Sequence, residues 1–242
     1  MSVDRILIVN ADDFGQSPGV NAGVIEAHER GIVTSASMMV CWPAAHEAAE
    51  YGRAEQVLSI GLHLDLGQWT FAEGEWTADY ERVPLSNPDE VEREVRRQLG
   101  LFRELVGRDP THLDSHQHVH RNEPAKSVTA RLASELGVVL RERSSRVRYC
   151  GEFYGQTGTG EPFPEGISLE HLVELIATLP PGNTELACHP GRALGADFVY
   201  GRERERELAA LCDPRARAAI EREGIVLRSF AGIGKAGPVD AG

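Results

Sequence analysis

Acidic and imidazole side chains follow the ends of several predicted strands in this sequence. Asp12 and Asp13 end the first strand, and His63 lies near the end of the third. Asp114 and His116 follow along the fourth. One carboxylate and two imidazoles make an open site for a divalent metal ion, with positions left for water and substrate. The residue types therefore indicate metal-assisted chemistry, and they permit Zn²⁺, Fe²⁺, Co²⁺, Ni²⁺ or Mn²⁺.

Further polar side chains fall at the same end of the predicted sheet. His118 and His120 come shortly after the fourth strand. Arg141 ends the fifth strand, and His189 ends the sixth. A second carboxylate beside a ligand carboxylate is placed to act as a general base, because a metal ion lowers the pKa of its water to about 7.

Each of these residues also has an interpretation without chemistry. An Asp-Asp pair after a strand is often a turn or a helix cap, and His63 fits a buried histidine satisfied by hydrogen bonds. At least one histidine of the run 116–120 is expected to lie outside a ligand set. The chemical interpretation is favoured because five strands would each place a titratable residue at one end of the sheet. Three histidines within predicted helices need no such explanation: His28, His46 and His171.

The elements that position these residues alternate between strands and helices. A continuous apolar run at 5–11 is typical of a strand buried on both faces, and Ser17-Pro18 predicts the start of the next helix. This alternation predicts a parallel sheet with right-handed crossovers, in which ligands bind outside the carboxyl ends of the strands. The predicted strands are 5–11, 33–40, 57–66, 111–119, 138–141, 185–188 and 225–230, and the later helices are 43–52, 88–106, 125–137 and 168–179.

About seven strands in a chain of 242 residues predict a single α/β domain. The favoured architecture is a distorted or incomplete (β/α) barrel, with a doubly wound open sheet as the alternative. Segments 68–88 and 144–166 are longer than ordinary connections and rich in Gly, Pro and aromatic residues, so they are predicted to be loops over a site. The tail from about residue 231 has four glycines and a proline and is expected to be frayed.

The composition restricts the partners. The 25 Lys+Arg against 37 Asp+Glu give a formal net charge of -12, which disfavours nucleic acid and anionic membranes. The four cysteines are scattered without a CxxC pair, as in a protein with reduced thiols. Apolar runs are too short for a membrane span or a secretory signal. We therefore expect a soluble, cytoplasmic protein.

Five motifs occur in order along the chain, and together they resemble the YdjC-like carbohydrate deacetylases, a family that includes chitooligosaccharide deacetylases. The resemblance extends from residue 5 to about 230, and the first and fourth motifs together are highly specific. The motifs are Val9-Asn-Ala-Asp-Asp-Phe-Gly15, Ile32-Val-Thr-Ser35, Gly61-Leu-His-Leu64, Thr111-His-Leu-Asp-Ser-His-Gln-His-Val-His120 and Cys188-His-Pro190.

The resemblance implies a distorted (β/α) barrel that removes the acetyl group from an N-acetylated amino sugar or short oligosaccharide. It implies one divalent metal ion, with Mg²⁺ or Zn²⁺ favoured and Co²⁺, Ni²⁺ or Mn²⁺ left open. The implied metal ligands are Asp13, His63 and His116. Asp12 is the implied general base, and His189 is the implied acid that protonates the departing amine.

The same resemblance assigns supporting roles. Asp114 and His118 orient the ligands, and Arg141, matched by position, holds Asp12 ionised through an ion pair. A homodimer is what the family suggests. The sequence departs from the chitooligosaccharide deacetylases at two places. Gln117 stands where they often carry another histidine, and segment 68–88 is shorter than theirs. The resemblance therefore supports the family's mechanism for this chain more strongly than it supports the family's substrate.

Two other functions stay open on the sequence alone. Two histidines and a carboxylate also describe a non-haem Fe(II) oxygenase, although such an enzyme has no need of the base and the acid. A catalytically silent sugar-binding protein on the same fold is the other alternative. Aromatic side chains of the two long segments either stack on a sugar or pack the loops: Trp69, Phe71, Trp76, Phe153 and Tyr154.

Overall fold

Ten strands and seven α-helices make up the part of the chain that the computed structural model describes, residues 4–72, 74–193, 195 and 200–233. The strands are β1 (Arg5–Phe14), β2 (Ser35–Met38), β3 (Ser59–Leu64), β4 (Gly67–Ala72), β5 (Glu75–Glu81), β6 (His112–Ser115), β7 (Val139–Leu140), β8 (Arg148–Cys150), β9 (Gly182–Cys188) and β10 (Val226–Leu227). The helices are α1 (Pro18–Glu29), α2 (Ala45–Ala54), α3 (Pro88–Val106), α4 (Ala125–Leu136), α5 (Leu169–Ala177), α6 (Gly201–Cys212) and α7 (Pro214–Arg222). Short 3₁₀ helices cover His116–Arg121, Pro164–Ile167 and Phe230–Ile233.

The main sheet is entirely parallel and has the strand order β7-β6-β3-β2-β1-β9-β8, with β10 beside the start of β1. Arg141 directly follows β7, yet its Nη1 lies 2.6 Å from Oδ2 of Asp12 near the end of β1. In a flat sheet, four strand spacings of about 4.8 Å would hold these strands about 19 Å apart. The sheet therefore curls into an open barrel that brings its strand ends together.

Helices cover the outside of the sheet through apolar faces. In α3 the buried positions Val91, Val95, Leu99, Phe102 and Val106 recur at helical spacing and pack against the core. Capping side chains begin these helices where the sequence indicates: the Ser17 hydroxyl accepts from the backbone of α1. The rigid outer layer leaves the carboxyl ends of the strands free for a site.

The predicted α/β fold is confirmed as an incomplete (β/α) barrel, and most predicted elements are present. Segment 68–88 was predicted wrongly as a loop, since β4 and β5 form an antiparallel hairpin there. Segment 144–166 contains the short strand β8, which pairs with β9. The predicted strand 111–119 ends at Ser115, where the chain turns into a 3₁₀ helix. Helices α6 and α7 were missed because about half of the residues in each are charged.

The hairpin is tied to the barrel by a buried carboxylate. Asp65, just after β3, accepts hydrogen bonds from Tyr80 at 2.9 Å, from Arg82 and from Trp42 at 2.8 Å. Residues 231–233 of the predicted frayed tail lie in the last 3₁₀ helix, and the remainder lies outside the described residues. Among the described residues, none of the helices has the length and apolar character that crossing a membrane requires.

Candidate active site and metal centre

The end of β1 presents two adjacent carboxylates to the barrel interior. Successive side chains of a regular strand point to opposite faces. Here the pairing with β2 shifts register between Ala11 and Phe14, and Asp13 has a left-handed φ of 65°. Both Asp12 and Asp13 consequently line the same pocket. The unusual backbone at Asp13 is how neighbouring residues come to share one site.

Asp13, His63 and His116 meet with the spacing that a metal site needs. Oδ1 of Asp13 lies 3.3 Å from Nε2 of His63 and 3.2 Å from Nδ1 of His116. Nδ1 of His63 is 2.8 Å from Oδ1 of Asp114, so that carboxylate orients the ring and leaves Nε2 directed at Asp13. Metal bonds of about 2.0–2.2 Å place neighbouring ligand atoms roughly 3–3.5 Å apart. The three residues therefore fit a divalent ion.

The electrostatics of this group also suit a cation. Burial alone would raise the pKa of Asp13, but Arg204 and the two histidines outweigh it and hold the pKa well below its usual range. Burial would lower the pKa of His63, but the carboxylates of Asp114 and Asp12 outweigh that effect and raise it. A metal ion bound here would have to displace a proton from His63, so its affinity would fall as the pH falls.

Asp12 is held by a buried arginine. Nη1 and Nη2 of Arg141 donate to its two carboxylate oxygens at 2.6 and 2.7 Å. Arg141 also contacts Asp114 at 2.9 Å and Glu185 at 2.6 Å, and it is only 2% exposed. Burial favours the neutral carboxyl of Asp12, but the guanidinium outweighs it and lowers the pKa. Asp12 is therefore ionised at neutral pH, as the sequence-based hypothesis for Arg141 requires.

His189 faces Asp12 from the end of β9. Its Nε2 lies 3.8 Å from Oδ2 of Asp12, and its Nδ1 lies 3.8 Å from Oε1 of Glu207. Burial would lower the pKa of His189, but the carboxylates of Glu207, Asp12 and Asp13 outweigh it and raise the pKa. Tyr200 donates to Glu207 at 2.6 Å and fixes that carboxylate. The histidine is thus suited to carry a proton beside an ionised base.

Two site residues were missed in the sequence, Arg204 and Glu207 on α6. Nη2 of Arg204 lies 2.5 Å from Oδ2 of Asp13, which leaves Oδ1 facing the histidines. Glu207 accepts a hydrogen bond from the backbone N–H of His189. The alternating Arg and Glu residues of segment 201–207 look like a solvated helix, so the sequence carries no signal for their burial.

The segment after β6 departs from the predicted strand in a way that connects the hairpin to the site. Gln117 and His118 have left-handed φ values of 47° and 54°. Gln117 accepts from the backbone N–H of Trp69 at 2.8 Å and donates to the Trp69 carbonyl at 2.9 Å. The residue next to the predicted ligand His116 thereby holds β4 over the pocket.

The remaining predicted residues are distributed as follows. Asp114 contacts His63 directly, whereas the contacts of His118 are with the Tyr149 hydroxyl at 3.2 Å and with Glu142 at 3.8 Å. The helical histidines lie in α1, α2 and α5, away from the pocket lining: His28, His46 and His171.

A pocket of about 1220 Å³ opens over these groups. It exceeds the 300–1,000 Å³ or so that is common for small-ligand sites, so it has room for a ligand larger than most of those. Trp76 is 57% exposed, while Phe153 is buried in the core and serves packing. The lining includes all the aromatic residues singled out in the sequence: Trp69, Phe71, Trp76, Phe153 and Tyr154.

Known proteins share this architecture and sequence. A carbohydrate deacetylase from Geobacillus stearothermophilus is 32% identical, over 93% of this chain and 97% of its own. A chitooligosaccharide deacetylase from Klebsiella pneumoniae strain 342 is 33% identical, over 94% of this chain and 99% of its own.

Solved structures of other proteins share the fold of this chain. A protein from Enterococcus faecalis V583, proposed to cleave cellobiose phosphate, superposes with a TM-score of 0.76 at 29% identity, covering 95% of this chain and 99% of its own. A family 4 carbohydrate esterase from Streptomyces lividans shares the fold, with a TM-score of 0.58 at 13% identity over 99% of this chain and 100% of its own. The model of the family described as YdjC-like protein matches residues 6–222. The chain therefore belongs to the YdjC-like family.

Proposed function

We propose that this protein is a metal-dependent carbohydrate deacetylase that hydrolyses the acetamide of an N-acetylated amino sugar or short oligosaccharide. The observation that carries the proposal is that three kinds of functional group line one pocket. It combines an open ligand set, Asp13, His63 and His116, with an ionised carboxylate, Asp12, and a histidine of raised pKa, His189. Amide hydrolysis needs an activated water, a base and an acid, and this pocket can supply each.

The side chains divide the chemistry between them. Asp13, His63 and His116 would hold the divalent ion, which when bound would supply Lewis-acid chemistry to the amide carbonyl and to the attacking water. Asp12 accepts the proton that the attacking water loses. His189 donates a proton to the amide nitrogen as its bond to the acetyl carbon breaks, so acetate and a free amine leave. Nε2 of His189 and Oδ2 of Asp12 lie 3.8 Å apart, so the proposed base and acid can both act on one amide group.

The relatives support the choice of substrate class. Two of them are named for the deacetylation of carbohydrates and of chitooligosaccharides, and each aligns over nearly its full length. The exposed ring of Trp76 and the partly buried ring of Phe71 offer flat apolar surfaces of the kind that sugar rings stack on. Trp76 and Phe71 lie with ring centroids 5.4 Å apart at the pocket wall. We therefore favour a soluble mono- or oligosaccharide.

The metal follows from ligand chemistry. Two imidazoles and a carboxylate suit Zn²⁺, Co²⁺ or Ni²⁺, while Mg²⁺ usually prefers oxygen ligands and retained waters. Both Zn²⁺ and Mg²⁺ therefore belong in any assay.

An acetate-release screen tests the proposal. The panel contains N-acetylglucosamine, its phosphate, chitobiose to chitotetraose and other N-acetylated amino sugars, each with Zn²⁺, Co²⁺, Ni²⁺, Mn²⁺ or Mg²⁺. We expect acetate from at least one mono- to tetrasaccharide. Binding of these sugars without acetate from any of them, under every metal, would instead identify a sugar-binding protein.

A further inference from the structure

A second group of ligand-type side chains lies beside the pocket, apart from the residues used above, and reaches its lining through His118. His118 and His120 belong to the 3₁₀ helix after β6, and Glu142 follows β7. Oε2 of Glu142 lies 3.8 Å from Nδ1 of His118 and 3.9 Å from Nε2 of His120. The three ligand atoms fall within 4.8 Å of one another. None of the three residues is a proposed metal ligand, base or acid of the first site.

Each of the two imidazoles has one nitrogen near a hydroxyl group and one nitrogen without a hydrogen-bond partner among the described residues. Nδ1 of His120 is 2.7 Å from the Ser115 hydroxyl, and Nε2 of His118 is 3.2 Å from the Tyr149 hydroxyl. The other nitrogens, Nε2 of His120 and Nδ1 of His118, are buried and have no hydrogen-bond partner among the described residues. His120 is 0% exposed, and a buried polar atom of this kind normally has a partner.

Glu142 completes the group from the end of β7. Its carboxylate is paired with the half-exposed Arg121, and the Glu142 side chain is 24% exposed. A carboxylate has about four lone-pair positions, so Oε2 can accept another ligand while Arg121 remains in place. Oε2 thus lies near both unpaired imidazole nitrogens and still has a free lone pair for a metal ion.

We infer that His118, His120 and Glu142 form a second metal site that takes a borderline divalent ion such as Zn²⁺ or Co²⁺. Two imidazoles and one carboxylate are the ligands such ions prefer, and Mg²⁺ is disfavoured by the nitrogen donors. Metal bonds of about 2.0–2.2 Å require Oε2 of Glu142 to approach each imidazole nitrogen by roughly half an ångström. The two nitrogens, which lie within 4.8 Å of each other, come together by side-chain rotation. His118 and Arg121 line the pocket, so the ion would face the bound ligand.

Metal stoichiometry tests the site directly. Chelator-treated protein is dialysed against micromolar Zn²⁺ or Co²⁺, and metal per chain is measured by elemental analysis. We expect two ions in the wild type and one in both His120→Gln and Glu142→Gln. His46→Gln, on α2 and outside both groups, should retain two. A wild type with a single ion, or a Glu142→Gln variant that keeps two, would overturn the site and leave a bridging water as the partner of these nitrogens.

A further variant separates the two sites from each other. His63→Ala should lose only the first ion and keep the one at His120. One ion in the wild type and none in His63→Ala would reject the second site while leaving the proposed function intact. The reverse pattern, with the ion lost in Glu142→Gln but kept in His63→Ala, would instead contradict the first site. Thermal unfolding of each variant checks that a lost ion does not reflect a lost fold.

Replacement of Arg121 gives a test in which metal affinity is expected to rise. Arg121→Gln removes a positive charge beside Glu142 and frees its carboxylate, so Co²⁺ should bind the second site more tightly. The readout is a visible-absorption titration of the His63→Ala variant with and without Arg121→Gln. Unchanged or weaker Co²⁺ binding would show that Glu142 serves Arg121 alone.

Discussion

Asp12 and Asp13 are chemically identical neighbours, yet their surroundings suit them to different tasks. Asp12 has both oxygens occupied by Arg141, which keeps it ionised. Asp13 gives Oδ2 to Arg204 and turns Oδ1 toward His63 and His116. The assignment of base and ligand therefore depends on a left-handed backbone at one residue rather than on residue type.

Replacement of the proposed base separates these tasks. Asp12→Asn keeps the shape of the side chain but removes the proton acceptor, so turnover should fall by about two to four orders of magnitude. Metal content should stay at the wild-type value, because Asp12 is not among the three proposed ligands. Elemental analysis beside the acetate assay decides the matter. Loss of metal in this variant would mean that Asp12 is the ligand and that the two roles are exchanged.

The proposed acid predicts a pH dependence. Because the pKa of His189 is raised above 6.5, its protonated form persists to higher pH, and kcat should fall only above that raised pKa. Glu207→Gln removes one of the two carboxylates that lie 3.8 Å from the His189 ring, so the alkaline fall in kcat should move to lower pH. Glu205→Gln, exposed on the same helix, is the matched control. An equal loss of kcat at every pH, with no shift of the alkaline limb, would assign Glu207 a purely structural role.

At this scale the sequence predicts the residue types well and their partners poorly. Asp12, Asp13, His63 and His116 could be grouped because each follows a strand, and parallel strands end at one edge. Arg204 could not be found, since its contact with Asp13 spans 191 positions and its helix has no distinctive pattern.

At the scale of elements, the β4–β5 hairpin and the turn after β6 act together. The sequence marks segment 68–88 as a covering segment but not as a hairpin, because its Gly, Pro and aromatic content is also typical of loops. Its attachment through Gln117 depends on a left-handed backbone conformation at Gln117 and His118. Neither residue type predicts that conformation. Gln117 therefore connects the segment that carries His116 to the pocket wall.

Gln117→Ala tests this connection. It removes two hydrogen bonds to Trp69, each worth about 0.5–1.5 kcal/mol, so the hairpin should close less firmly over substrate. We expect KM to rise about fivefold or more while metal content is unchanged. Gln56→Ala, exposed and outside the pocket lining, should leave KM alone. An unaltered KM in Gln117→Ala would show that the hairpin is held by Asp65 and not by Gln117.

At the scale of the whole molecule, the open barrel is braced from inside by Arg141. Its guanidinium joins the end of β7 to carboxylates on β1, β6 and β9, which are distant in the chain. The barrel itself could be predicted from the alternation of strands and helices, because short parallel strands permit few arrangements. The brace could not, since a strand-end arginine has the same sequence signature whether it points inward or outward.

Removal of the brace should destabilise the fold. Arg141→Gln leaves three buried carboxylates without their cation, so the free energy of unfolding at pH 7 should fall by about 3–5 kcal/mol. In the wild type Arg141 outweighs burial and lowers the pKa of Asp12 and of Asp114, so both carboxylates are ionised at pH 5 and at pH 7. Without the guanidinium, burial would raise both pKa values, and the free-energy cost of burying these groups grows as the pH rises above their pKa values in the unfolded chain. The deficit of the variant should therefore be smaller at pH 5 than at pH 7.

Denaturant unfolding at both pH values measures that deficit. Arg96→Gln is the matched control, because Arg96 also pairs with two carboxylates but is half exposed. Its removal should change stability little. Equal stability of Arg141→Gln and the wild type would show that the buried pairs are dispensable to the barrel.

The most direct test of the account is the return of acetate release as metal is added back to chelated protein, measured with the best sugar of the screen. The account predicts no acetate from the metal-free wild type, recovery as the Asp13-His63-His116 site fills, and no recovery in His63→Ala. Acetate released at the full rate by metal-free protein, or at the wild-type rate by His63→Ala, would contradict it.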